Sequence, residues 1–319
     1  MSAPTLAPGT SVLRHGEKLV VRSGDQAWTI SGDDMVHLVE SLLAGSDDGV
    51  LPTMPTDSPA WSSLVELLRE SGLVSVEEGM TQASPSARLL WQRSGQVHPL
   101  RDVDAALRES VVPVLGKHPL AARVRSILED SGVGVTDDGR EARACAQIEG
   151  SVAPAVVVAG SVDDVLLTEH NTWALEMGLP WLPVVLDDAG HSVVGPYIRP
   201  HSSACLRCYR LRRAANFPDR RVIEDLAGAE PVAMSPMPTD MVGLSWFVAA
   251  LAVEKVTERI ALGDHSTMSC PGGLAALERS HPGVKVTEHK VLRVPRCPDC
   301  SPTAQRGLPQ VWHHGGVSQ

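Results

Sequence analysis

Four cysteines stand in two short pairs, Cys205-Leu206-Arg207-Cys208 and Cys297-Pro298-Asp299-Cys300. Two C-x-x-C turns can bring four thiolates to one tetrahedral zinc. A zinc with four sulfur ligands keeps no position for water, so it would hold a fold together and do no chemistry. The same residues could instead form two separate disulfides or a thioredoxin-like redox pair. A redox C-x-x-C opens a helix after a strand, which the proline-flanked Cys297 does not, and Met1 to Thr10 lack the basic-then-apolar pattern of a secretory signal. Pro200 before the first pair and Pro295, Pro298 and Pro302 around the second predict a bent, non-helical backbone at both knuckles. The expectation is one structural zinc on Cys205, Cys208, Cys297 and Cys300.

Other reactive residues carry less. Cys270, in Met268-Ser269-Cys270-Pro271-Gly272-Gly273, could accept an acyl group, but a loop cysteine without an identifiable base reads as inert, and Cys145 reads the same way. The arginines at 207, 210, 212, 213, 220 and 221 form a local basic stretch that reads as a solvated face. His313-His314 belong to a C-terminal tail.

The chain has 319 residues and a formal net charge of -10, long enough for two or three cores and unfavourable for general nucleic-acid binding. No apolar run approaches the roughly 20 residues of a membrane span, so a cytoplasmic protein is expected. Two Phe and two Tyr against seven Trp leave Val, Leu and Ala to build the core, which suits α/β layers.

The N-terminal 85 residues read as a small module. Val12-Leu13, Leu19 to Val21 and the run to Ile30, separated by His15-Gly16 and Ser23-Gly24-Asp25, predict a three-strand meander. Ser31 and Asp34 are spaced as a capping box for a helix ending at Gly45. Trp61, Leu64, Val65, Leu67 and Leu68 mark a second amphipathic helix ending at Gly72, and Leu73 to Val76 predict a short returning strand. Strands followed by helices have the outline of a winged helix. DNA binding needs a basic recognition helix, yet the second helix sets Arg69 against Glu66 and Glu70. Peptide capture is the third reading beside DNA binding and a plain structural subdomain. In it the edge strand Gln26, Ala27, Trp28, Thr29, Ile30 and Ser31 pairs with an extended peptide, opposite Trp61, Leu64, Val65 and Leu68.

Residues 86–319 read as a Rossmann-type α/β domain. Val111 to Leu115, Val133 to Val135, Ala155 to Ala159 and Leu182 to Leu186 are strand-like, and Leu120 to Leu128 and Leu167 to Met177 are helical. A ligand would sit at the carboxyl ends of the strands, near Gly116 and Gly160. Met241 to Leu262 predicts a long helix whose apolar face suits a core or a dimer interface.

Val114-Leu115-Gly116, Ser131-Gly132-Val133-Gly134, Val156 to Asp164, Asn171, Gly178-Leu179-Pro180, Gly195-Pro196 and the two cysteine pairs resemble a ThiF/E1-type ubiquitin-activating fold over roughly residues 100 to 302. The resemblance implies that the four cysteines hold its zinc. The turn Gly116-Lys117-His118-Pro119 departs from the glycine-rich phosphate turn of working members, and Pro119 removes an amide, so no ATP is expected on this chain. Asp163 and Asp164 lie near the place of the metal-organising aspartate and read as caps.

A winged-helix peptide-binding module joined to such a domain is similar to the ocin-ThiF-like, or F-protein, partners of YcaO cyclodehydratases. That resemblance implies a RiPP recognition element that binds the leader of a ribosomal precursor and presents it to a separate YcaO enzyme for azoline formation in thiopeptide-type pathways, with no catalytic residue on this chain. An adenylating enzyme acting on a peptide or carrier-protein C-terminus is the alternative.

Overall fold

The computed structural model describes residues 5–7, 9–23, 26–44, 59–71, 73–75, 82–142, 148–188, 191–216, 242–280 and 283–301. Cys145, Gly45, Gly72, Arg220, Arg221 and His313-His314 lie outside the described residues. The chain divides into two compact units, Met1–Leu107 and Arg108–Gln319, so residues 86–107 group by contact with the N-terminal part.

In the first unit, β1 (Thr5–Leu6) is followed by β2 (Thr10–His15), β3 (Lys18–Ser23) and β4 (Gln26–Ile30). The last three form an antiparallel sheet in the order β2-β3-β4, so the meander forms as its turn signals dictate and β4 is an edge strand. Period-two alternation puts Leu19 and Val21 of β3 in the core beside the cross-strand partners Ile30 and Trp28. Helix α1 (Asp33–Ala44) opens one residue later than the Ser31 cap implies, with Gly32 before it at φ +103°, a conformation that favours glycine. Helix α2 (Pro59–Glu70) contributes Leu64 and Leu68 to the core, and β5 (Val74–Ser75) pairs antiparallel with β1. Burial of a leucine such as Leu64 is worth about 2–5 kcal/mol against truncation to alanine.

Two further helices were not read from the sequence. Helix α3 (Pro85–Arg93) is capped by Ser84, whose hydroxyl accepts from the Ala87 amide at 3.1 Å, with Pro85 in the first turn. Helix α4 (Leu100–Glu109) buries Leu100, Val103, Ala106 and Leu107. Both carry signals the sequence shows plainly, a Ser-Pro start and an i, i+3, i+6, i+7 apolar stripe.

The second unit is a mixed α/β domain. Strand β6 (Val111–Leu115) leads through α5 (Pro119–Asp130) to β7 (Gly134–Thr136), and β8 (Ala155–Ala159) leads through α6 (Val165–Met177) to β9 (Trp181–Asp188). Strands β7, β6, β8 and β9 are adjacent and parallel. Strand β8 is buried along its whole length, as expected for an Ala-Val run paired on both sides and covered on both faces. Strand β10 (His191–Val194) adds antiparallel to β9. After helix α7 (Leu206–Ala214) and the long α8 (Val242–Leu262), β11 (Gly273–Ser280) and β12 (Gly283–Lys290) extend the sheet to seven strands. The β11–β12 ribbon escaped the sequence reading, although Val284 and Val286 alternate with Lys285 and Thr287. Helix α8 packs against α5 and buries Val248, Val256 and Ile260 on one face. Among the described residues no helix is long and apolar enough to cross a membrane.

Candidate functional site

The four cysteines converge as their spacing predicts. Cys205, Cys208, Cys297 and Cys300 are buried, and their sulfurs all lie within 4.8 Å of one another. Neighbouring sulfurs are 3.5 Å (Cys208–Cys300), 3.7 Å (Cys205–Cys297) and 3.8 Å (Cys205–Cys208) apart. Four sulfurs at about 2.3 Å from a tetrahedral zinc are about 3.8 Å apart, so the donor set fits that ion in type, number and spacing. The group could bind a metal. Apposed thiols raise Cys205 through hydrogen bonding to Cys208, hold Cys208 low through hydrogen bonds from Cys205 and Cys300, and burial pushes Cys297 up to about 11.

One expectation about this site needs correction. The first pair is not a bent, non-helical knuckle: Cys205 is the N-cap of α7, and Cys208 sits in its first turn. Pro200 is five residues upstream, too far to break a helix that starts at Leu206, and the second pair is the one that lies in turns. Opening a helix is what a redox pair would also do, so the four-sulfur convergence, not the local backbone, separates the readings.

Residues to which the sequence reading gave no role at the cysteines hold the two pairs in register. Asn171, on α6 and buried, accepts from the Leu206 amide at 3.0 Å and donates to Asp299 Oδ2 at 3.3 Å, so one side chain bridges both pairs. Arg293 donates to the His201 carbonyl at 2.9 Å and the Cys300 carbonyl at 2.6 Å. The Val294 amide points at Cys208 Sγ, 3.3 Å away. The basic stretch is partly structural: Arg210 donates to the Val162 carbonyl and faces Asp163 at 3.4 Å, and Arg212 donates to the carbonyls of Leu292 and Arg293. Beside Asn171, His170 packs on Trp173 and Trp181, and burial depresses its pKa to about 4.

In the first unit a groove of about 330 Å³ runs between β4 and α2. It is lined by Trp28, Thr29, Ile30 and Ser31 of the expected strand segment and by Leu64 and Leu68 of the expected helix. Gln26 and Ala27 lie on the same strand, exposed, outside the lining, and Val65 packs toward the core instead. Trp61 belongs to α2, and its side chain lies outside the described set. Leu64 and Leu68 are core residues at 2% and 8% exposure that only floor the groove, whereas Leu67, 56% exposed, stands at its mouth with Met35. The sequence reading did not single out Leu67, because the helical stripe alone does not separate core from rim.

A second cavity, of about 710 Å³, lies at the carboxyl ends of β8, β6 and β7, where strand order reverses about β6. Gly116 has φ +117°, and a Cβ there would collide with the Val158 carbonyl, so the turn needs glycine. The helix that should receive phosphate is sealed by its own residues. Pro119 has no amide hydrogen, His118 Nδ1 accepts from the Leu120 amide at 3.2 Å, and the His118 carbonyl accepts from the Ala121 amide at 2.9 Å. Asp164 caps α6 by accepting from the Leu166 amide at 2.9 Å. Cys270 is partly buried in a loop fixed by Glu258, which accepts from Ser266, Thr267 and Met268, and among the described residues no base bonds its sulfur.

No protein-family model and no curated protein matches this sequence. Solved structures do match. A heterocyclase in complex with substrate and cofactor superposes with a TM-score of 0.65 at 17% identity, over 94% of this chain and 40% of its own. The heterocyclase TruD gives 0.59 at 19% identity, over 94% and 43%. The microcin C7 biosynthetic enzyme MccB, in complex with N-formylated MccA, gives 0.56 at 14% identity, over 93% and 99%. This chain therefore spans about two fifths of the length of the two heterocyclases and shares the fold of all three.

Proposed function

We propose that this chain is a non-catalytic scaffold that binds the leader of a ribosomally made precursor peptide and delivers it to, and activates, a separate YcaO cyclodehydratase that forms azolines from Cys, Ser or Thr. Residues 1–85 would act as a winged-helix RiPP recognition element and residues 86–319 as a degenerate ThiF/E1-like domain stapled by zinc on Cys205, Cys208, Cys297 and Cys300. When bound, zinc supplies structural cross-linking of two chain segments. Asn171 and Arg293 would keep those segments aligned.

The carrying observation is the apolar groove beside a strand edge that no other strand pairs among the described residues. A peptide added to β4 gains backbone hydrogen bonds, and alternate side chains enter the groove, so affinity and selectivity come from different parts of one surface. Tethering substrate raises its local concentration at the partner without any bond being broken here.

Fluorescence anisotropy of a labelled leader against the full chain tests this. Leu67→Glu, a change at an exposed position, should weaken binding by about tenfold by setting an unpaired charge against apolar side chains. Undiminished binding by a chain lacking the first 85 residues would sink the reading.

The second reading, ATP-dependent adenylation of a C-terminus, has one observation in its favour: MccB, crystallised with ATP in another of the matching structures, is covered by this chain over 99% of its length. The sealed start of α5 weighs against it. Substrate-dependent pyrophosphate exchange would decide for adenylation.

A further inference from the structure

We infer that the interior of the second unit binds a small monovalent anion of the chloride type between the Tyr197 hydroxyl and the Arg259 guanidinium. Tyr197 follows β10, and Arg259 stands in the last turn of α8. Both are almost wholly buried, at 1% and 2% exposure, and the guanidinium carbon lies 5.6 Å from the centre of the Tyr197 ring. Tyr197 Oη and Arg259 Nε are sealed from solvent, yet neither has a hydrogen-bond partner among the described residues. A buried donor left unmade costs more than its bond would have gained, so two such groups in one place call for a shared acceptor.

The chemistry of the pair restricts what that acceptor is. Burial pushes the Tyr197 hydroxyl up in pKa, against the opposing charge of Arg259, so at neutral pH it keeps its proton and can donate. Nε of a guanidinium only donates. A halide or a water oxygen accepts from both, and charge decides between them. Arg259 Nη2 donates to the Gly150 carbonyl at 2.9 Å and to Asp264 Oδ1 at 2.7 Å, and Arg199 Nη1 approaches the same Asp264 oxygen at 3.4 Å. One carboxylate therefore serves two guanidiniums, and with its side chain 58% exposed its pull is weakened by solvent. An anion supplies both the acceptor and the charge that the buried cation lacks, whereas water supplies only the first. The depth of both side chains keeps the ligand to the size of a single atom. Once bound, it would tie the segment before β8, the turn after β10 and the end of α8 to one point.

Thermal unfolding of the purified full chain in sodium chloride and in sodium gluconate at equal ionic strength tests this, since gluconate is too large to enter. Chloride should raise the midpoint saturably, by about 3–5 °C at ten times its dissociation constant. Tyr197→Phe removes an unpartnered hydroxyl and keeps the ring, so the variant should fold and lose most of the chloride shift. Crystals soaked in bromide should show an anomalous peak within hydrogen-bonding reach of Tyr197 Oη and Arg259 Nε. Equal midpoints in the two salts overturn the inference, as does a chloride shift that Tyr197→Phe leaves whole, or bromide found only elsewhere in the molecule.

Discussion

The start of α5 and the four-cysteine cluster are both places where chain segments converge on a point able to hold a charged ligand, and they end in opposite states. At α5 the first amides that remain after Pro119 find partners within the turn itself: the His118 ring and carbonyl take the Leu120 and Ala121 amides that a phosphate would need. At the cysteines, four sulfurs meet in the interior with one another and a few backbone amides, that of Val294 among them, as partners. A site binds when its polar groups converge without satisfying each other. By that criterion the first has been closed by two side chains, and the second remains open to a metal.

The largest effect should come from breaking the cysteine side. Metal analysis of the purified chain should find one zinc per chain. Cys297→Ser should remove it and unfold the second unit, since structural zinc contributes about 10–16 kcal/mol in small domains, as much as the whole stability of an ordinary one. A zinc-free chain with unchanged thermal stability would refute the assignment.

Next is the pH response of the core beside it. His170 has a folded pKa of about 4 against 6.5 in the free state, so between those values the unfolded chain binds more protons. Stability should therefore be full above pH 6.5 and fall as pH drops toward 4, by up to about 3 kcal/mol, levelling off below. Chemical denaturation at pH 7 and pH 4.5 should show a smaller difference in His170→Gln than in the unchanged chain. An equal difference in both would assign the acid sensitivity elsewhere.

Asn171→Ala should cost about 2 kcal/mol, because it strands the buried Leu206 amide, and should speed zinc loss to a chelator. Asn171→Asp keeps the acceptor but faces Asp299 with a second carboxylate, so it should recover only part of the loss. Metal release at an unchanged rate in both variants would show that the cysteine pairs align without this bridge.

The smallest effect is at α5. His118→Gly with Pro119→Ala frees the Leu120 amide and adds one, at a capping cost of about 1 kcal/mol. Affinity for inorganic phosphate should rise relative to the unchanged chain. If it does not, the closure lies deeper than these two residues.

Much of this organisation was legible along the chain because it depends on short-range chemistry. The Ala155–Ala159 run, the glycines at 116 and 178, the turn signals between β2, β3 and β4, and the two C-x-x-C pairs each state their role through local pattern. What stayed hidden was any property set by partners distant in sequence. Leu64, Leu67 and Leu68 look equivalent on one helical stripe, and only packing against β3 and β4 makes the first and last core and leaves Leu67 at the groove mouth. Cys205 reads as part of a proline-bent turn until α7 is seen to start on it.

Sequence by itself determined the three-strand meander, the alternation of strands and helices from β6 to β9 and the spacing that lets four thiols share one site, since periodicity, turn chemistry and ligand spacing are properties of neighbouring residues. Tertiary structure alone decided that Asn171 joins residues 206 and 299 and that His118 spends the amides of α5. Those outcomes depend on which backbone groups are left unsatisfied once the sheet has formed, and hydrogen-bond supply and demand balance only in three dimensions.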